Sequence, residues 1–254
     1  MAIKKAKIFA ITSVKGGTGK TTVTLNLASA FASMGKNVLI IDLDLYTGGI
    51  AASLNIDNST DLYKLVYDLN NNHFKYLNDY IVPYKDNISV IPSPKDPRTA
   101  NKISSKYING VLSRASTNFD IILLDTNHFM NDINLVAFDS CDEIVYVLKN
   151  DPIDFKNMKT MVSIYQDMGK DNYKIVLNES VNKLNNYFSK YDIKNVIKDK
   201  IDFVIPSSFY IKNINKYVLD GEILIENSVI KRAHKKGVKV YNSIAISLLK
   251  EKKN

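Results

Sequence analysis

Short apolar runs alternate along the chain with longer segments in which apolar residues recur every three or four positions. Lys7 to Val14 reads KIFAITSV, a β-rich run ending in glycine-rich sequence, and Lys20 to Met34 carries apolar residues at helical spacing. Gly35 predicts the end of that helix. Asn37 to Leu43 then follows after a very short connection as a second strand, ending at the acidic pair Asp42 and Asp44. Further strands are expected at Ile88 to Ile91, Asp120 to Leu124, Glu143 to Leu148, Tyr173 to Leu177 and Ile201 to Val204, separated mostly by helix-length segments. Leu62 to Leu69 reads as one such helix, with the Asn run 70 to 72 at its end. Val238 to Leu249 reads as a last core-facing helix through Val240, Ile244 and Leu248, rather than as a lipid anchor. IPSPKDPR, residues 91 to 98, holds three of the six prolines and is expected to be a loop, because the alternation resumes on either side.

Strands buried on both faces and joined by helices predict an α/β fold, a mostly parallel central sheet flanked by helices on both faces. Ligands of such sheets bind beyond the carboxyl ends of the strands. With 254 residues and no internal repeat, residues 1–254 are expected to form a single domain.

Composition narrows the classes. A hydrophobic share of 45% and a charged share of 24% are ordinary for a folded domain and argue against extended disorder. A formal net charge of +8 favours contact with nucleic acid or anionic lipid, but scattered lysines also make an ordinary solvated surface, and both readings stay open. Only Lys231, Arg232, Lys235, Lys236 and Lys239 form a dense basic group. The single cysteine, Cys141, excludes an intramolecular disulfide framework, fits a reducing cytoplasm and is expected to be a small buried residue. The start, MAIKKAKIFAITSVKGG, passes directly into a strand without a long apolar segment or a small-residue cleavage pattern, so no signal peptide is expected. The longest apolar runs, VLII and IILL, fall far short of the roughly 20 residues that cross a bilayer, so a soluble cytoplasmic protein is expected.

The chemistry is densest in Gly16, Gly17, Thr18, Gly19, Lys20, Thr21 and Thr22, placed between a strand and a helix. Small, conformationally free residues there let backbone N–H groups wrap a phosphate. Lys20 would supply positive charge to the terminal phosphates, and the Thr21 hydroxyl would reach Mg²⁺ from the first helical turn. IIDLDLYTGGIAASL, residues 40 to 54, places Asp42 and Asp44 at the strand edge where a ligand is expected. FDIILLDT, residues 119 to 126, is an apolar strand ending in an acid, Asp125, suited to orienting a magnesium water. His128 is a lone histidine, more in keeping with a loop residue than a base, and neither His73 nor His234 gives metal-ligand spacing. Asn178 ends a strand, and its amide offers both a donor and an acceptor to a purine edge.

The string KGGTGKTT, residues 15 to 22, closely resembles the deviant phosphate loop of the ParA/MinD family of ATPases. That resemblance covers nearly the whole chain, from Lys7 to about Leu249, with the motifs in family order. It implies that Lys15 reaches across a dimer interface to the partner's nucleotide, coupling ATP binding to homodimer formation. It further implies that Asp44 positions or activates the attacking water, that Asp42 holds a water of the Mg²⁺ shell, that Asn178 reads the adenine ring and that Ile205 to Ser208 closes around it. The family usually continues the third motif as Asp-Thr-Pro-Pro, whereas this chain has Asp125-Thr126-Asn127-His128.

Within the family, DLDLYTGGIAASL and SVIPSPKDPR look most like the CpaE/TadZ-related branch, which localises pilus and secretion machinery. That branch commonly carries Gln where this chain has Tyr46. The implied function is a slow Mg-dependent ATPase switch, reset by an unknown hydrolysis-stimulating partner, that positions cargo. The alternative is a plasmid or chromosome partition ATPase that binds DNA non-specifically through the Lys231 to Lys239 group. A metabolic enzyme using ATP and a non-hydrolysing nucleotide-binding scaffold are alternatives of another class. Direct membrane binding is not expected, and one cysteine cannot supply its share of an iron–sulfur cluster bridged between subunits.

Overall fold

The computed structural model describes residues 5–57, 59–85, 87–182 and 186–250. The ends of the expected 1–254 domain, and with them part of the segment read for a signal peptide, lie outside the described residues. Eight strands form one sheet in the order β3-β4-β2-β5-β1-β6-β7-β8. They are β1 (Lys7–Thr12), β2 (Val38–Asp42), β3 (Val82–Lys85), β4 (Ile88–Ile91), β5 (Ile121–Asp125), β6 (Glu143–Leu148), β7 (Tyr173–Asn178) and β8 (Phe203–Ile205). All neighbours pair in parallel except β3 with β4.

Strand alternation builds both layers. Phe9, Ile11, Ile40, Leu123 and Val145 point to one face, where α1 (Lys20–Ala32) and α10 (Lys235–Leu249) cover them. Ala10, Leu39, Ile41, Leu124 and Tyr146 point to the other, beneath α3 (Leu62–Asn70), α4 (Ile108–Ala115), α5 (Asp132–Ser140), α6 (Pro152–Asp167) and α7 (Lys190–Ile197). Among the described residues the shorter α-helices are α2 (Ile50–Leu54), α8 (Ile214–Leu219) and α9 (Ser228–Ala233). Helices on both faces explain why β2, β5 and β6 are buried at every position.

Several expected bounds move. The last strand begins at Phe203 rather than Ile201, and the third motif's strand includes Asp125. The last helix starts earlier, at Lys235, and buries Tyr241, Ile244, Ala245 and Leu248, whereas Val240 is only half-buried. The 91-to-98 segment begins as the final residue of β4 before becoming a loop. Cys141 is buried as a free thiol, and burial pushes its pKa up to about 12, which leaves it unreactive. Among the described residues no helix is long and apolar enough to cross a membrane.

Candidate nucleotide site

The sheet order brings the motifs together. From β1 the chain crosses to β2, two places away, and β5 later fills the gap, while β6, β7 and β8 build in the other direction. The carboxyl end of β1 is therefore the switch point where a crevice forms. The register sets Asp42 opposite Asp125 on adjacent strands, with Ile11 of β1 on the far side of Asp125.

Residues 13–19 form the loop between β1 and α1. Gly19 is the N-cap of α1 at φ 88°, a left-handed conformation open to glycine, and no side chain caps this end. By contrast, Asp61, Asn131, Asp151 and Ser189 cap α3, α5, α6 and α7. The N–H groups at the start of α1 thus stay available to an anion, and the helix dipole favours one there. Thr18 is fully buried, and its Oγ1 has no protein partner.

Thr21 Oγ1 donates to Asp125 Oδ2 at 2.8 Å, and Thr24 Oγ1 donates to Asp125 Oδ1 at the same distance. Thr24 was not singled out from sequence. Its signal was its place three residues after Thr21, on the same helix face. Asp42 accepts from the Asp44 and Ile50 backbone N–H groups at 3.1 and 3.2 Å. Asp44 is half-buried and accepts from Thr47 Oγ1 at 2.8 Å. Gly48, in the same loop, sits so close to Ser93 that a β-carbon would fall 1.6 Å from its Oγ. This contact holds the Asp44 loop against the end of β4.

Charge is concentrated and dry here. Burial pushes the Asp125 carboxyl up to about 6, against the pull of the Thr21 and Thr24 hydroxyls. Burial, followed by the field of Asp125, raises Asp42 well above the carboxylate range. Burial lowers the Lys20 ammonium, while Asp125 and Asp44 oppose that shift. Two buried carboxylates on adjacent strands, one of them raised by the field of the other, form a place where a cation would be favoured. With the Thr21 hydroxyl they offer oxygen donors only, which suits Mg²⁺ completed by water and phosphate. Among the described residues no group of three or more His, Cys, Asp or Glu forms a protein-only metal cage.

Lys15 Nζ lies 3.3 Å from both oxygens of Asp151. Because β1 pairs with β6, the loops that leave them abut, and this brings the N-cap of α6 to the phosphate loop. Burial favours the neutral form of Asp151, but the Asp154 N–H and Lys15 outweigh it and hold the carboxyl below its ordinary range. Sequence reading found neither Asp151 nor the fully buried Asp154 beside it, because an Asp before a proline announces only a helix start.

Asn178 ends β7 beside a cavity of about 320 Å³ lined by Gly17, Gly19, Val181, Phe209, Ile211 and Leu224, among others. Its amide donates to the Thr18 carbonyl at 2.9 Å. The cavity wall comes from Phe209 to Ile214 rather than from Ile205 to Ser208, which lead into it. Asn127, where the family has proline, accepts from Phe129 N and Asn134 Nδ2 at 2.9 and 2.8 Å, a side-chain turn that braces the loop after β5. His128 lies against Gly16 and its ring stacks at a tilt on Phe129, with centroids 4.1 Å apart.

Residues 6–182 match the AAA_31 family model, described as an AAA domain. The chain belongs to this family, among the ParA/MinD-type P-loop ATPases. A putative septum site-determining protein MinD from Emiliania huxleyi is 23% identical to this chain over 210 residues, covering 80% of this chain and 75% of the relative. Among solved structures, a ParA family ATPase from Chlorobium tepidum TLS superposes with a TM-score of 0.80 at 18% identity, over 96% of this chain and 99% of that one. The Pyrococcus horikoshii MinD complexed with Mg-ADP gives 0.79 at 23%, over 96% of each. These neighbours share the AAA_31 chain's fold.

Proposed function

We propose that the chain is an ATP-controlled dimeric switch that binds Mg-ATP in the residue 15–22 loop, hydrolyses it slowly and positions a cellular cargo. The observation that carries this reading is the convergence of the uncapped α1 start, Lys20, Thr21 and the Asp42–Asp125 pair at one switch point. Mg²⁺, when bound, would neutralise charge on the phosphates as the bond breaks. The Thr21 hydroxyl and the carboxylates of Asp42 and Asp125 would hold it. Asp44, anchored by Thr47, has a second oxygen with which to orient a water and take its proton. Lys15, whose ammonium pairs with Asp151 in the single copy, would reach the nucleotide of a second copy on dimerisation. Tyr46, Phe129 and Met130 are 58%, 61% and 54% exposed on the loops that leave β2 and β5, apolar area that a face-to-face partner would cover.

The names of the relatives support a positioning role, and the resemblance to the CpaE/TadZ branch points to pilus or secretion machinery as the cargo. A second reading, DNA partition, is favoured by one feature. Lys231, Arg232, Lys235, Lys236 and Lys239 are all exposed, on α9 and the start of α10.

Molecular mass in solution with ADP and with ATP tests the switch, with Asp44→Ala trapping the ATP state. An ATP-specific dimer that Lys15→Ala abolishes is the expected result. A monomer under every condition would sink the switch and leave nucleotide binding as a metabolic or scaffold function.

A further inference from the structure

Asn178 is 3% exposed, and three hydrogen bonds fix its amide. Nδ2 donates to the Thr18 carbonyl oxygen at 2.9 Å, while Oδ1 accepts from Ser180 N at 3.2 Å and from Ser180 Oγ at 2.7 Å. The orientation is forced, because a backbone N–H can only donate and a carbonyl can only accept. Both lone pairs of Oδ1 are therefore engaged by Ser180. Only the second N–H of Nδ2 remains for the cavity that Asn178 and Ser180 both line.

The bond to Thr18 acts on the next residue. In a trans peptide the C=O and the following N–H point in opposite directions, and no cis bond occurs among the described residues. Holding the Thr18 oxygen toward the end of β7 turns the Gly19 N–H the opposite way, at the uncapped start of α1. Gly19 fits this contact closely. A β-carbon there would lie 2.7 Å from Asn178 Nδ2, and the residue already sits at φ 88°.

Resting on the nucleotide reading above, we propose that Asn178 is a positioning residue of the phosphate loop, which presets the Gly19 N–H for phosphate and does not choose between adenine and guanine. One free N–H meets a ring-nitrogen acceptor, which both purines present. Distinguishing the 6-amino group of adenine from the 6-oxo group of guanine needs an acceptor, and that of Asn178 is taken. Apolar Phe209, Ile211 and Leu224 grip the faces of either ring.

Calorimetric affinities for MgADP, MgGDP and magnesium tripolyphosphate, which has no base, separate the roles. Asn178→Ala is expected to weaken all three by about tenfold, the effect of one buried hydrogen bond, with the ADP-to-GDP ratio unchanged. Ser180→Ala, which loosens the amide but leaves the strand end intact, is expected to shift all three by about threefold and decides the matter if the first variant does not fold. Unchanged tripolyphosphate affinity alongside weakened ADP would overturn the proposal, as would a collapsed ADP-to-GDP ratio. So would a wild-type chain that binds MgADP but not tripolyphosphate, since a preset cradle holds phosphate without a base. A wild-type chain that binds none of the three removes the nucleotide reading itself, and the proposal with it.

Discussion

The carboxylate of Asp125 is held where its charge is costly. Its ordinary pKa of 3.8 rises to about 6 on burial, so between those values the folded chain holds a proton that the unfolded chain has released. The stability this contributes is fully present below 3.8 and is lost as pH rises through about 6. Above that, the ionised Asp125 carboxylate is buried beside Asp42 on the adjacent strand, and a bound cation would offset its charge. Asp125→Asn should therefore stabilise the ligand-free protein near neutral pH by on the order of 1–3 kcal/mol, with the gain shrinking toward about pH 5. The same change should abolish hydrolysis. Urea titrations at the two pH values check the first part, and a variant no more stable than wild type near neutrality would show that the pair is not strained.

Residues of this kind differ in how far the sequence reveals them. Lys20 and Thr21 follow a glycine-rich loop directly and open α1, and Asp125 ends an apolar strand, so the places of all three at the strand ends were legible. Asp151 and Ser180 bond to Lys15 and Asn178, from which they are separated by a strand pairing or a turn, and no local pattern announces either.

Among the elements, α10 shows how packing decides a case that helix propensity would misjudge. Replacing a helical glycine by alanine ordinarily stabilises a helix by about 1 kcal/mol. At Gly237, however, the new β-carbon would lie 2.1 Å from Cδ2 of Phe209, a buried ring that walls the cavity beside Asn178 and also packs on Tyr241. Overpacking of this kind costs about 1–3 kcal/mol, enough to cancel or outweigh the helix gain. Gly237→Ala should thus push Phe209 into the cavity and weaken MgADP several-fold while sparing tripolyphosphate, whereas Asn178→Ala should weaken both. Equal losses for both ligands would mean that Phe209 does not wall a base site.

The interior strands were legible because both faces are covered, which leaves unbroken apolar runs such as IILL in β5. β3 was not expected at all. It is an antiparallel edge strand of four residues, VPYK, with Pro83 inside it and only alternate positions half-buried. An edge tolerates proline because one row of N–H groups needs no partner, so the residue that argues against a strand is allowed here.

At the scale of the whole molecule, the decisive question is what a dimer would do with the basic surface. The net charge of +8 is spread over the chain, but the dense group on α9 and α10 lies on a helix pair joined to the cavity beside Asn178. His234 Nδ1 meets the Ser208 carbonyl at 2.5 Å, and Phe209 packs on Gly237 and His234. A single copy presents too few charges for firm binding to DNA at physiological salt, whereas a dimer doubles the phosphates neutralised at once, and each released counterion steepens the salt dependence. If the partition reading holds, Asp44→Ala loaded with ATP should co-elute with DNA in about 50 mM salt and lose it by about 200 mM, while the ADP form should not bind at either. Reversing Lys235 and Lys236 to Glu should remove that binding and leave the ATP-dependent mass unchanged, since neither residue lies among those that build the nucleotide site. Dimerisation without DNA binding at low salt would instead favour a protein cargo, with the basic helices serving as a solvated face and the exposed Tyr46, Phe129 and Met130 committed to the second copy.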